Sequence, residues 1–414
     1  MQISFGLFVF FSLTTPSWRY GSFAWMPLLQ IADLVGGPMQ IGIFNLLPIC
    51  VVGSWALLRW QVGQKWQWGQ RVVMLPMLAL TFLSFARLTL LSPRRIFLHL
   101  GGWAIAWLVY LFLINEGKET WRIWVVSFIL WVQGGVAVIQ FFLQREVGLD
   151  FFGELPLNPL FSGVTVLFAR NIRWLRAYGL TAHPNLLGAI LAILLLILLQ
   201  GNSLPSRRSG SRFRNLHKII IGISLSVGLL GLFVSFSRSA WLGFGIGFLV
   251  WVWQTRATIR FTLLSLLPLL PLLFMLLFYH DLATSRLVRL ETAVEQRSLN
   301  ERLTDTQMAF DIIKQHPLWG IGMGNYADFA QQTEPSARRV HNVPLLITAE
   351  LGIFGGLFWL ILAFAPLCDP QNSSIPIWLA MIVMSQLDTM VWVSGNWQTA
   401  VLFALIAAQL HETR

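Results

Sequence analysis

Gly179-Leu180-Thr181-Ala182-His183-Pro184-Asn185 runs without a break into Leu186-Leu187-Gly188-Ala189-Ile190-Leu191-Ala192-Ile193-Leu194-Leu195-Leu196-Ile197-Leu198-Leu199. About 20 mostly apolar residues cross a bilayer as a helix. Pro184 suits the first turn of such a helix. The run is continuous, whereas a barrel strand would alternate. Segment 179–200 is therefore read as a transmembrane helix. Comparable runs occupy 39–58, 72–91, 96–114, 121–143, 218–236, 261–279 and 343–367. Shorter or weaker runs lie at 1–15, 239–253, 375–392 and 396–410, for about twelve spans. Segment 22–32 is an alternative to 1–15, or lies in the interface. Met1 to Thr15 has neither a basic leader nor a small-residue cleavage site, so it reads as a short first span, not a signal peptide.

The composition agrees. Of 414 residues, 56% are hydrophobic and only 11% charged, with 20 Trp and 31 Phe. A soluble domain has about 25% charged residues. A soluble enzyme, a disordered chain and a fibrous protein are excluded, which leaves an all-α polytopic integral membrane protein. The net charge of +11 would suggest nucleic acid in a soluble chain; here it has to be sorted by side of the membrane. The two cysteines, Cys50 and Cys368, each sit in or beside an apolar run and indicate no disulfide framework or metal cluster.

Lys and Arg in short loops set the orientation. Arg207, Arg208, Arg212, Arg214 and Lys218 crowd one loop without an acid, Arg256 and Arg260 another, and Arg59, Lys65 and Arg71 a third. Arg94 and Arg95 are the weaker competing loop. Both termini are thus expected in the cytoplasm. Segment 203–214 reads as a solvated cytoplasmic loop; a specific anionic-lipid site is the other reading. Two long loops, 144–178 and 280–342, then face outward. The domain division is 1–120, N-terminal spans, and 121–410, a membrane domain containing both loops. In the second loop Leu299, Leu303, Phe310 and Ile313 recur at helical spacing. This predicts an amphipathic helix on the membrane surface, capped by Ser298 or Asn300, ended by Pro317, with Arg302 in its first turns.

Several residues could carry chemistry. Arg238, in Ser235-Phe236-Ser237-Arg238-Ser239-Ala240-Trp241, falls between two spans at the outer face. It either snorkels to the interface or presents a fixed cation to an anionic ligand. His341-Asn342 stands just before span 343–367, after Arg338 and Arg339. Such a histidine is either structural or a proton acceptor near neutral pH. His280 and His316 have no ligand spacing, so no metal or other cofactor is expected. In Pro317-Leu318-Trp319-Gly320-Ile321-Gly322-Met323-Gly324 the glycines permit a tight turn, but the motif fails as a dinucleotide fingerprint because it follows a helix. Glu350 and Asp388 are the acids within the expected spans. A buried acid there is usually paired; an arginine partner and a proton relay are the two readings of Glu350. His183, at the outer start of segment 179–200, reads either as a helix-entry residue or as a catalyst.

In order, His183-Pro184-Asn185, Ser237-Arg238-Ser239-Ala240, Arg302 with Pro317-Leu318-Trp319-Gly320-Ile321-Gly322, His341-Asn342 and Glu350-Leu351-Gly352-Ile353-Phe354-Gly355 resemble the O-antigen ligase and polymerase family of bacterial envelope glycosyltransferases. The resemblance covers about residues 120–410. It implies a metal-independent, inverting enzyme of cell-envelope polysaccharide or lipopolysaccharide synthesis. The donor is a glycan on polyprenyl (undecaprenyl) diphosphate. The acceptor is a hydroxyl of lipid A-core or another glycan, at the outer face. By this resemblance Arg238 and Arg302 match the arginines that hold the diphosphate, and His341 the general base. Arg173, Arg176, Arg339 and Asn342 are expected to help bind substrate. Membrane lipids, not nucleic acid, are the other partners. The alternative is a transporter of small anions such as bicarbonate. A transporter should show broken helices in repeated halves, and no repeat is visible.

Overall fold

The computed structural model describes residues 29–30, 40–41, 43–86, 93–116, 119–169, 172–202, 211–255, 268–287, 293–334, 337, 339–368, 372–392 and 397–409. The expected span 1–15, most of segment 22–32, Arg170, the 203–210 stretch with Arg207 and Arg208, Arg256, Arg260, Arg289, Arg338 and the C-terminal tail lie outside the described residues. A two-residue ladder, β1 (Leu29–Gln30) with β2 (Gln40–Ile41), precedes the helices. Next come α1 (Ile43–Gln61), α2 (Arg71–Phe85), α3 (Pro93–Glu116) and α4 (Glu119–Leu143).

The helix that decided the fold class, α5 (Pro184–Asn202), is apolar on every face. Such a helix belongs inside a larger assembly. It does: 89% of Pro184–Gly201 is buried, between α4, α6 (Ser211–Val234), α7 (Arg238–Thr255) and α13 (Ile375–Leu387). Around this centre α4 packs on α6 and α7 on α13. The remaining elements are α8 (Leu270–Phe278), α9 (His280–Leu287), α10 (Ala293–Gln315), α11 (Tyr326–Thr333), α12 (Val343–Phe364) and α14 (Trp397–Ala408).

The chain is thus mainly helical. Among the described residues four helices are long and apolar enough to cross a membrane: Ile123–Leu143, Pro184–Gly201, Leu216–Val234 and Val343–Leu367. Within three expected spans the described residues form shorter apolar helices. Segment 72–91 forms α2 with 15 residues, 375–392 forms α13 with 13, and 396–410 forms α14 with 12.

The long loops are more structured than expected. Segment 144–178 contains a hairpin, β3 (Val166–Ala169) with β4 (Ile172–Leu175), pairing Val166 with Leu175 and Phe168 with Arg173. Alternation at short range makes it: Leu167, Ala169 and Leu175 are buried while Phe168 and Ile172 are exposed. Helix α10 begins at Ala293, so Ser298 and Asn300 are interior residues and do not cap it. Its buried side is Asp305, Ala309 and Ile312, whereas Leu303 and Phe310 face outward. Ile313, on the expected apolar face, is half-buried against the core, and α10 packs on α12.

Helix α12 is broken at Gly352, which has φ 73° and ψ −173°. The glycine-rich turn after α10 fits into the break. Ile321 N donates to Ala349 O at 3.0 Å, Gly322 N to Glu350 O at 2.8 Å, and Ile353 N to Pro317 O at 2.9 Å. The turn thereby satisfies backbone groups that the break would leave orphaned. It also fixes α10, the carrier of Arg302, to α12, the helix that follows His341.

Candidate functional site

The starts of α5, α7 and α12 and the ends of α6 and α13 meet at one end of the bundle. Close approach makes this possible: a Cβ on Gly188 would lie 2.8 Å from Ser237 Cβ and 2.9 Å from Ala240 Cβ. The turn Ser235-Phe236-Ser237 thus sits directly on α5.

Phe236 holds a left-handed φ of 47°, unusual for a bulky residue. Surroundings hold it there. Its ring is fully buried against Phe233, Trp241 and Phe141, with centroids 5.4 to 5.9 Å away. Two arginines donate to the carbonyls of the same turn: Arg176 Nε to Ser235 O at 2.9 Å, and Arg286 Nε to Phe236 O at 3.2 Å. Helix α7 starts immediately after, so Arg238 stands half-buried at its first position, beside the Ser237 and Ser239 hydroxyls, which lie 3.2 Å apart.

The centre of the cluster is Asp388, the residue that ends α13 and is 3% exposed. Its Oδ2 accepts from Asn185 Nδ2, and its Oδ1 accepts from Thr389 N at 2.7 Å. Asn185 Oδ1 in turn accepts from Arg176 at 2.5 Å. His341 Nδ1 stands 3.8 Å from Asp388 Oδ1, an ion-pair distance longer than a hydrogen bond, and makes no hydrogen bond. The His341 side chain is 35% exposed and that of Asp388 3%. One edge of the imidazole therefore faces a buried carboxylate while the ring remains open to a ligand. His183 Nδ1 accepts from Asn185 N at 3.1 Å, the place of a residue at the start of a helix.

Asn342 brings His341 to this position. Its Oδ1 accepts from Leu345 N at 2.9 Å as the cap of α12, and its Nδ2 donates to Gln386 O at 3.2 Å. The start of α12 is thus tied to the end of α13, two residues before Asp388. Arg176 is buried; desolvation, then the nearby Arg286, lower its pKa, while Asp388 favours its charge.

The other expected residues are more dispersed. Arg173, on β4, lies 5.7 Å from the Phe168 ring, and its Nε is buried without a hydrogen-bond partner. Arg339 is half-buried in the segment leading to His341, and Arg302 is half-buried on α10. Glu350 accepts from Tyr326 N at 3.4 Å, at the start of α11. Among the described residues no group of three or more His, Cys, Asp and Glu could hold a metal. Reading the sequence alone missed the roles of Asp388, Asn185 and Arg286. Asp388 carried a signal as an acid in an apolar run, but no local spacing links it to His341, 47 positions earlier.

Fold and site together define a helical protein with candidate membrane spans, carrying an imidazole, a buried carboxylate and guanidinium groups at one end of its bundle. Residues 223–360 match the family model described as O-antigen ligase, which supports an O-antigen ligase- or polymerase-like family for this chain. The matched segment includes Arg238, Arg302, Arg339, His341 and Asn342, and excludes Arg173, Arg176, Asn185 and Asp388. No curated protein matches the chain.

Proposed function

We propose that the protein transfers a glycan from a polyprenyl-diphosphate carrier to an acceptor hydroxyl at the outer face of a bacterial inner membrane, as a ligase or a polymerase. The observation that carries this reading is the O-antigen ligase match over residues 223–360, which contains Arg238, Arg302 and His341. With both termini cytoplasmic, as the basic loops favour, the His341 end of the bundle faces outward.

His341 takes the proton of the acceptor hydroxyl. That oxygen forms the new bond to the anomeric carbon. The bond from this carbon to the diphosphate oxygen breaks, and its electron pair leaves with the diphosphate. Attack opposite the leaving group inverts the anomeric configuration. Arg238 and Arg302 take up the negative charge that develops on the diphosphate, because guanidinium groups offer paired donors to phosphate oxygens. Asp388 favours the imidazolium that forms, as a carboxylate does beside a catalytic imidazole. Arg173 and Arg339 extend the positive surface toward the donor. Arg176 and Asn342, both engaged within the protein, give the site its shape. No metal takes part in these steps. Nothing among the findings supports a transporter.

The test is transfer by the purified protein in lipid nanodiscs, with a defined polyprenyl-diphosphate-linked glycan. His341→Ala and Arg238→Ala are expected to abolish transfer while remaining folded and inserted, and a chelator should have no effect. Near-wild-type transfer by His341→Ala refutes the mechanism. Offering lipid A-core and a second lipid-linked repeat in turn separates ligase from polymerase.

A further inference from the structure

Asn185 occupies an unusual position between two buried charges. On one side is the guanidinium of Arg176, which only donates; on the other is the carboxylate of Asp388, which only accepts. A primary amide satisfies both at once, and in one orientation only: oxygen to Arg176, nitrogen to Asp388. Both neighbours are nearly free of solvent, Arg176 at 2% and Asp388 at 3% exposure, so water does not replace the bridge. The backbone holds the amide in place: Asn185 N donates to His183 Nδ1, and Pro184 precedes it in the first turn of α5.

We propose that Asn185 is a positioning residue: its amide fixes the Asp388 carboxylate in the orientation that faces His341. This rests on the proposed role of His341 as the base. The carboxylate has two anchored corners. Oδ2 is held by Asn185, and Oδ1, held by Thr389 N, is the oxygen facing His341. Releasing Oδ2 lets the group rotate and changes its distance from the imidazole. The other charged or titratable groups acting on this centre are His183 before α5, Arg176 between β4 and α5, Arg286 on α9 and Arg238 on α7.

Two variants test this. Asn185→Ala removes the bridge. The exchanged pair Asn185→Asp with Asp388→Asn keeps one donor and one acceptor between the two positions but moves the negative charge away from His341. Three quantities are measured: the thermal midpoint in detergent, the pH dependence of transfer, and the pH dependence of carbethoxylation of His341 by diethyl pyrocarbonate, followed by peptide mass mapping. The last needs no substrate. For Asn185→Ala, the His341 titration midpoint and the acid limb of transfer should move together by about half a pH unit or more. The exchanged pair should keep a thermal midpoint near wild type yet show a lowered His341 midpoint and impaired transfer. A wild-type His341 titration in either variant overturns the proposal. If His341→Ala remains active, the assignment of the base fails separately, and the carbethoxylation curves still decide the role of Asn185.

Discussion

Gly352→Ala should unlock the joint between α10 and α12. The added Cβ would lie 2.0 Å from Leu318 O, 2.3 Å from Leu318 C and 2.6 Å from Trp319 N, all backbone atoms of the docked turn. Rotating a side chain cannot relieve such a contact. In addition, φ 73° with ψ −173° belongs to a region that essentially only glycine occupies. Strain there costs about 1–3 kcal/mol. The clash also forces the turn outward, at the expense of hydrogen bonds such as Ile353 N to Pro317 O and Gly322 N to Glu350 O. Losing two of these adds about 1–3 kcal/mol, for a total of roughly 2–6 kcal/mol. In a chain of this size, about 1–2 °C per kcal/mol extrapolates from smaller domains, so the thermal midpoint should fall by several degrees. Thermal unfolding in detergent, followed by circular dichroism, measures it. Gly245→Ala is the control: it lies in α7, a Cβ there meets nothing within 4 Å, and alanine favours a helix. A wild-type midpoint for Gly352→Ala, or an equal loss for Gly245→Ala, would refute the lock.

Gly188→Ala brings a Cβ against Ser237 and Ala240 and should shift the turn that carries Arg238. Because misplacement by about 1 Å can cost about a hundredfold, transfer should fall at least tenfold with little loss of helix content. Glu154 is 1% exposed and accepts from Val147 N, Gly148 N, Leu149 N and Gln140 Nε2 at 2.6 to 2.9 Å. Glu154→Gln turns one acceptor oxygen into a donor against these donors, so it should cost about 2–3 kcal/mol and expose segment 147–154 to limited proteolysis. Arg302→Lys keeps the charge but loses the planar fork; transfer in nanodiscs should drop well below wild type.

The Gly352 lock and the Asn185 bridge act at different scales. The lock sets how α10 lies on α12, and with it the position of Arg302 relative to the start of α12. The bridge sets the orientation of one carboxylate beside His341. Both use backbone or amide groups to place charges, which suits a site where a mobile charged side chain would be poorly solvated.

Much of this was legible in the amino-acid order. Residues 186–199 are apolar on every side, which requires a buried helix whatever its neighbours are. Arg238 between two apolar runs, and His341-Asn342 before a third, mark helix ends because charge and capping groups are costly within a span. Where helices stop was less legible. Segment 375–392 reads as one run, yet α13 ends at Leu387, because Asp388 turns into the cluster. The apolar residues of α10 could equally face protein or membrane, and only packing shows Leu303 and Phe310 exposed while Ala309 and Ile312 are buried. Tertiary structure alone decided that Asp388, at the end of α13, meets Asn185 and Arg176, around the start of α5, beside His341. Periodicity reports the faces of one element, whereas this contact depends on how four elements end at the same level of the bundle.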